Sequence, residues 1–558
     1  MKYYQLQLSD YELHPEERAT SEIDEGFILF DLTVLFSIIE LVGKCPDCSS
    51  KVKLSSKAAC RKGFSLLLEF ECLMCQWKHQ IYSSKKIMNC DKHGPKSFEV
   101  NARVLVAFRE IGKGLKGIET FSNCMNMPGG ISQKSYDSLN KTLHNCYTAV
   151  SQTSQKVAAK ETREKVGVLD DTTIADCHVS VDGTRQRRGY ASLNGIVTLM
   201  SRQNGKCLDT HVMTKTCKSC QHWEDRKGTD QYDKWKMEHK CPINHRESSG
   251  AMEVAGAINM FKRSIPYLNL RYVSYIGDGD TKAHQSVVES APYDNCTIEK
   301  LECIGHVQKR MGTRLRNLVA QKRGEMLSDG KKLSGKKRLT KKVINALQNY
   351  YGMAIRQNVN NVYAMKKSII AILFHCSEHT NTTERHKYCP RGKDSWCKCQ
   401  SDKETGKMTY KEHITLPVAV KEAITPVFTD LSNDDFLKKC THGQTQNINE
   451  ALHGVIWQRC PKQVYCSRLV IEIGTASAVI NFNDGAKGIC KVLLHMGINP
   501  GRNMVDGIRR KNARRVKDGQ RNASASGKQR RRKLRSIKRG FEDAEKEQEE
   551  EVYQSGAF

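Results

Sequence analysis

The sequence predicts an α/β fold: a mixed sheet with helices, interrupted by a large α-helical insertion, and preceded by a small cysteine-rich sheet and a helical region. Three observations lead there. The run "HVSVDGTRQRRG" alternates, with Val179 and Val181 on one side of a short strand and Ser180 and Asp182 on the other. A carboxylate in that position is poorly placed for packing and well placed to hold a metal ion at a strand edge. Next, "SSGAMEVAGAINMFKRSI" followed by "RYVSYIGDGD" reads as helix then strand, a crossover that delivers Asp278 and Asp280 to a strand end. Finally, 171 residues separate Asp278 from Glu450 in "TQNINEALHGVIW". A sheet-to-helix connection needs far fewer, and most of them carry helical patterning.

Composition narrows the function. A chain of 558 residues, 39% of them hydrophobic, has room for three or four domains with real cores. The 90 Lys and Arg outnumber the 61 Asp and Glu, and the net charge of +29 calls for a polyanionic partner. The polar opening "MKYYQLQLSDYELHPEERAT" does not read as a secretory signal. The apolar run "FILFDLTVLFSIIELVG" contains Asp31 and Glu40, so it is expected as core strand and helix, with no membrane partner. Of the 23 cysteines many fall in Cys-x-x-Cys pairs, which in an intracellular basic protein means zinc more readily than disulfides.

The elements follow in order. Residues 1–44 read as a short strand and an amphipathic helix. In 45–92, Cys45 and Cys48 ("CPDC") and Cys72 and Cys75 ("CLMC") flank the β-like run "FSLLLEFEC", as in a zinc ribbon. Four thiolates satisfy tetrahedral Zn2+, and the metal stabilises a sheet with too little core to fold alone. Residues 93–170 turn helical, divided at "MPGG", and read first as a packing domain and otherwise as helices that dimerise or bind DNA. Residues 171–302 form the first part of the core. There "SLNGIVTLMSR" and "CLDTHVMTKTC" are strands joined at Asn204-Gly205. The loop 217–245 then carries Cys217, Cys220, Cys241 and His245 as a second zinc set, with His239 or His222 as substitutes. In the next helix Ala251, Val254, Ile258, Phe261 and Ile265 recur at helical spacing, behind Ser248 or Ser249 as N-cap. Asp278 is preferred over Asp280 because it sits on the strand end, while Gly279 lets the chain turn away.

Residues 303–440 form the insertion. It opens with Cys303 and His306, a Cys-x-x-His pair, and a basic helix with Lys309, Arg310, Arg314 and Arg316 that suits a DNA backbone. "KKVINALQNYYGMAIRQN" and "NVYAMKKSIIAILFHC" are clear helices. A third zinc set is His386, Cys389 and Cys397, with His375 or Cys376 as the fourth ligand. Trp396 beside it reads first as a packing ring and otherwise as a platform for an unpaired base. Residues 441–500 return to the core on a helix whose buried stripe is expected at Ile448, Leu452 and Val455, with Glu450 on another side near His453 and Trp457. In the tail, 501–558, Arg509 to Arg539 hold 15 Lys or Arg in 31 residues with Asp518 as the one acid, and "FEDAEKEQEEEV" follows. Low apolar content predicts disorder there, and the basic run predicts nuclear import or non-specific DNA binding.

The phrases "VSVDGTRQRRG", "YIGDGD", "ECIGH", "LTKKVINALQNYYGMAIRQN", "CPRGKDSWCK" and "HGQTQNINEALHGVIWQRCPK" occur in an order that resembles the Mutator-like family of DDE transposases, from about residue 25 to residue 500. The resemblance implies a ribonuclease-H-like catalytic core, interrupted by a helical insertion before the last Glu, and a Cys-x-x-His pair after the second Asp. It places Asp182, Asp278 and Glu450 at the catalytic positions. Such a triad would hold two Mg2+ (or Mn2+) ions for phosphoryl transfer.

The expected protein is therefore a nuclear, homo-oligomeric DNA transposase acting on double-stranded transposon ends and target DNA. Two rivals stand beside it: a transposon-derived zinc regulator that binds DNA without cutting, and a ribonuclease-H-like nuclease acting on other nucleic acids.

Overall fold

A computed structural model describes residues 29, 31–87, 97–127, 129–187, 192–277, 282–393, 395–411 and 414–552. Among them the chain forms twenty α-helices and two sheets, and no helix is long and apolar enough to cross a membrane. The strand expected near the start falls outside the described residues. The chain packs as two compact units: the described residues up to Ala102 with those from Gly485 onward, and Arg103–Asp484.

The first unit contains the antiparallel sheet β1 (Val52–Ser56), β2 (Leu67–Cys72) and β3 (Lys78–Tyr82). Its register pairs Val52 with Cys72, so the two Cys-x-x-Cys segments meet at one end. The helix Leu32–Val42 forms as the apolar run suggested, capped by Asp31, whose carboxylate accepts from Thr33 N at 2.8 Å. It buries none of its residues, and Leu41 is 83% exposed, so it is not the core helix expected. Its apolar residues Val34, Ile38 and Leu41 are exposed among the described residues. The tail also departs from expectation. Arg502–Ala523 and Ala525–Val552 are helices, the first without a fully buried residue, because Arg, Lys, Ala and Glu are good helix formers without a core to bury.

In the second unit, the helices Leu115–Cys124 and Gln133–Lys165 precede the second sheet. The second sheet comprises β4 (Ala175–Arg185), β5 (Asn194–Ser201), β6 (Cys207–Thr214), β7 (Leu270–Gly277) and β8 (Glu299–Glu302), in the order β6-β5-β4-β7-β8. β4 pairs antiparallel with β5 and parallel with β7; β6 is antiparallel to β5, and β8 parallel to β7. The Asn204-Gly205 turn closes as read, with Gly205 at φ +71°. Helix Ala251–Leu268 covers the face bearing Val179 and Val181. Its buried side is Met252, Gly256, Met260 and Ser264; Phe261 is the one fully buried member of the predicted stripe. The rotation has a steric cause: a Cβ on Gly256 would stand 2.4 Å from Val197 Cγ2, so the helix backbone rests directly on the sheet. The opposite face receives Leu452 and Ile456 from helix Asn447–Arg459 and Val479 from helix Arg468–Asp484. The insertion has its own core, with Met311, Leu347, Tyr351, Ile369 and Phe428 at its centre.

Candidate active site

Alternation along β4 sends Val179 and Val181 into one hydrophobic core and leaves Ser180 and Asp182 on the other face, where helix Asn447–Arg459 lies. Asp182 is partly exposed near the end of β4. The parallel register runs Val179 beside Tyr275 and Ser180 beside Ile276, and β7 ends at Gly277. β8 continues the alignment, with Glu302 beside Gly277. Three strand ends thus lie along one edge. Asp278 follows Gly277 directly and Asp280 comes after Gly279; both lie outside the described residues.

The helix carrying Glu450 is fastened along β4 by a ladder of polar contacts. Gln446 Nε2 donates to Val181 O at 2.7 Å. Asn449, fully buried, accepts from Ser180 Oγ at 2.7 Å and donates to Ser180 O at 3.2 Å and Thr198 O at 3.0 Å. One turn on, His453 Nε2 lies 2.9 Å from Thr198 Oγ1, while its Nδ1 lies 3.6 Å from Asp182 Oδ2. Burial pushes His453 down to about 4, so the imidazole is neutral near pH 7 and the 3.6 Å approach is a polar contact rather than an ion pair. Trp457 Nε1 donates to Thr184 Oγ1 at 2.9 Å. At the far end Arg459 pairs with Glu110 at 2.8 Å. Glu450 sits in the first turn, exposed, three residues before His453.

This corrects the expected stripe. Asn449, Leu452, His453, Ile456 and Arg459 are buried, whereas Ile448 is 36% exposed and Val455 only partly covered. Apolar residues alone set the phase one position off, because the helix meets the sheet through an asparagine. Glu450 still lies off the buried side. The sequence pattern singles out neither Asn449 nor Gln446; the one signal for Asn449 is a polar residue at helical spacing from Leu452 and Ile456.

Cys303 and His306 form no metal group among the described residues. Cys303, buried at the N-terminus of helix Ile304–Gln321, accepts from Gln446 N through Sγ at 3.3 Å. Its own N–H points to Gly277 O at 3.4 Å. The pair's cysteine therefore fastens the end of β7 to the start of the Glu450 helix. In the basic helix Arg310 pairs with Glu302 and Arg314 with Asp430, each at 3.2 Å, while Lys309 and Arg316 are exposed.

Three Cys/His groups have geometry for a metal ion. In each, the four ligand atoms lie within 4.8 Å of one another. Cys45, Cys48, Cys72 and Cys75 form the first, with Sγ separations of 3.6 Å (Cys45–Cys75) and 3.4 Å (Cys48–Cys72). A Zn–S bond of about 2.3 Å implies tetrahedral edges of roughly 3.8 Å, close to these values. The second is Cys217, Cys220, His239 and Cys241. His239 Nε2 stands 3.3 Å from both Cys217 and Cys220, so it replaces the expected His245. His245 is instead held at Ser248 O, 3.0 Å away, next to the N-terminus of helix Ala251–Leu268. The third is His375, His386, Cys389 and Cys397; of the two expected fourth ligands the structure brings His375 into the group. In the third group the hydrogen bond between Cys389 and Cys397 holds the Cys397 thiol down and pushes Cys389 up; in the first, the Ser50 hydroxyl holds Cys48 down while Cys75 is pushed up. Cys397 and Cys48 therefore favour the thiolate that binds metal.

Residues 26–397 match the family model described as Mutator-like transposase, which covers more than half of the chain. No curated protein matches it. Glu450 lies beyond the matched span.

Proposed function

The chain belongs to the Mutator-like transposase family, and from that premise we propose that it binds transposon ends, cleaves DNA and joins the strands by metal-dependent phosphoryl transfer. The sheet order β6-β5-β4-β7-β8, with its antiparallel first three strands and parallel last two, supports a ribonuclease-H-like core. The observation that carries the reading is the ladder from Gln446 to Trp457. It holds an exposed glutamate within one turn of the contact to Asp182.

In this reading Asp182, Asp278 and Glu450 hold divalent cations. All three offer hard oxygen ligands, which suit Mg2+ or Mn2+, while the thiolate and imidazole groups suit Zn2+. The bound cations would supply Lewis-acid polarisation of the scissile phosphate and of the attacking hydroxyl. The chain's own part is positional. Asn449 fixes the height of the Glu450 helix on the sheet, neutral His453 backs the Asp182 carboxylate, and Cys303 anchors the loop entering the helix. The three Cys/His groups would hold Zn2+, each stabilising the part of the fold that carries it. The basic tail serves DNA affinity and nuclear import, and the protein acts as a homo-oligomer on two DNA ends. Mapping strand products on the element's own terminal repeats tests the reading. Specific cleavage is expected, and binding without cleavage would favour the regulator.

A further inference from the structure

Between Ile304 and Cys440 the sequence has 27 Lys or Arg against 12 Asp or Glu, so this segment carries +15 of the chain's +29. A surface of that charge suits a polyanion. Within it a cavity of about 220 Å3 opens beside the helices Lys341–Gln357 and Val362–His375. It is smaller than the roughly 300 Å3 at which pockets for whole drug-sized ligands begin, and suits one flat ring. Tyr350, Ile372, Trp396 and Tyr410 give it apolar and aromatic walls. Gln357 and Thr409 add amide and hydroxyl groups, and Lys398 and Lys411 are exposed on its lining.

Two of the rings are fixed by the third Cys/His group. Trp396 meets His375 edge-on, centroids 5.1 Å apart at 64°, and Tyr410 meets His386 at 5.0 Å and 89°. Asp402 accepts from Tyr410 N at 2.7 Å and from Thr409 Oγ1 at 2.8 Å, which holds the loop bearing Tyr410. The slot is therefore organised before any ligand arrives, which lowers the ordering cost of binding.

We infer that this slot receives one unstacked nucleobase of the DNA substrate, with Trp396 and Tyr410 against the base and Lys398 and Lys411 beside the flanking phosphates. The inference rests on the transposase reading above. Bases in an intact duplex are stacked on one another, so the slot would select an unpaired position, with little sequence preference because every base presents a π face.

The test uses the full chain and a DNA duplex with 2-aminopurine in a one-nucleotide bulge, against the same sequence with 2-aminopurine fully paired. Bulged DNA should bind roughly tenfold more tightly, the size of one base–aromatic stack, with quenching of the bulged fluorophore. Trp396→Ala should remove that preference and leave the affinity for paired DNA and the zinc content unchanged; Trp396→Phe should keep most of it. Lys398→Ala, a second variant away from the ring, should weaken binding of the bulged probe. Equal binding of both probes by the unaltered chain would overturn the slot but not the transposase reading. No binding of either probe would overturn both. Loss of self-association in Trp396→Ala, with the bulge preference intact, would make the slot an interface between copies and also overturn the proposal.

Discussion

Asn449 and Ser180, 269 residues apart in sequence, exchange two hydrogen bonds: Ser180 Oγ donates to Asn449 Oδ1 at 2.7 Å, and Asn449 Nδ2 donates to Ser180 O at 3.2 Å. Through them the helix bearing Glu450 is locked to the strand bearing Asp182. Asn449→Leu keeps the side chain's size and leaves buried polar groups unpaired, which costs about 1–3 kcal/mol. A lower denaturation midpoint is expected, together with slower DNA cleavage at temperatures where the variant is folded. Unchanged stability and cleavage would mean the clamp is dispensable.

The second metal group separates His239 from His245. Elemental analysis of protein purified without chelator should find about three zinc atoms per chain, by the four-ligand rule. His239→Ala should lower this to about two, and His245→Ala should leave it at about three. The reverse pattern would restore the ligand set expected from spacing alone.

His144, on helix Gln133–Lys165, pairs with Glu472 at 2.8 Å, and that hydrogen bond raises the His144 pKa above 6.5. A raised folded value gives stability that is fully present below the unfolded value of about 6.5. It is lost as pH rises through the folded value. The stability difference between the parent chain and His144→Gln should therefore be largest near about pH 6 and shrink on the alkaline side. A difference that stays constant across this range would show that the pairing is not ionic.

The tail should carry sequence-independent DNA affinity. Deleting residues 509–539 removes 15 positive charges. The dependence of log affinity on log salt should flatten, by about 0.9 for each phosphate that the tail neutralises, and the protein should no longer accumulate in the nucleus. An unchanged slope and location would reject both roles.

How far each feature can be read from the sequence depends on how locally it is determined. The Asp182 strand is legible because alternation is a property of a few adjacent residues. The β5–β6 turn is legible because Asn204-Gly205 fixes it, and the first Cys/His group because two Cys-x-x-Cys pairs confine its ligands; the third is legible except for the choice between the neighbours His375 and Cys376. The choice of His239 over His245 depends on how a loop of about 30 residues folds back and on the start of the next helix capturing His245 at Ser248. The phases of helices Ala251–Leu268 and Asn447–Arg459 are set by contacts that hydrophobicity does not encode: Gly256 against Val197, and Asn449 between Ser180 and Thr198. Those contacts join segments far apart in the chain, and no local pattern announces them.

The central claim is that Asp182, Asp278 and Glu450 form one cation-dependent site. Purified protein, incubated with its element's terminal repeats and Mg2+, should cleave at the ends and join them to target DNA. Asp182→Asn, Asp278→Asn and Glu450→Gln should each reduce cleavage and joining together by several orders of magnitude while end binding persists. Asp280→Asn should remain active. End binding without strand breakage by the unaltered chain, or full activity in Glu450→Gln, would contradict the account.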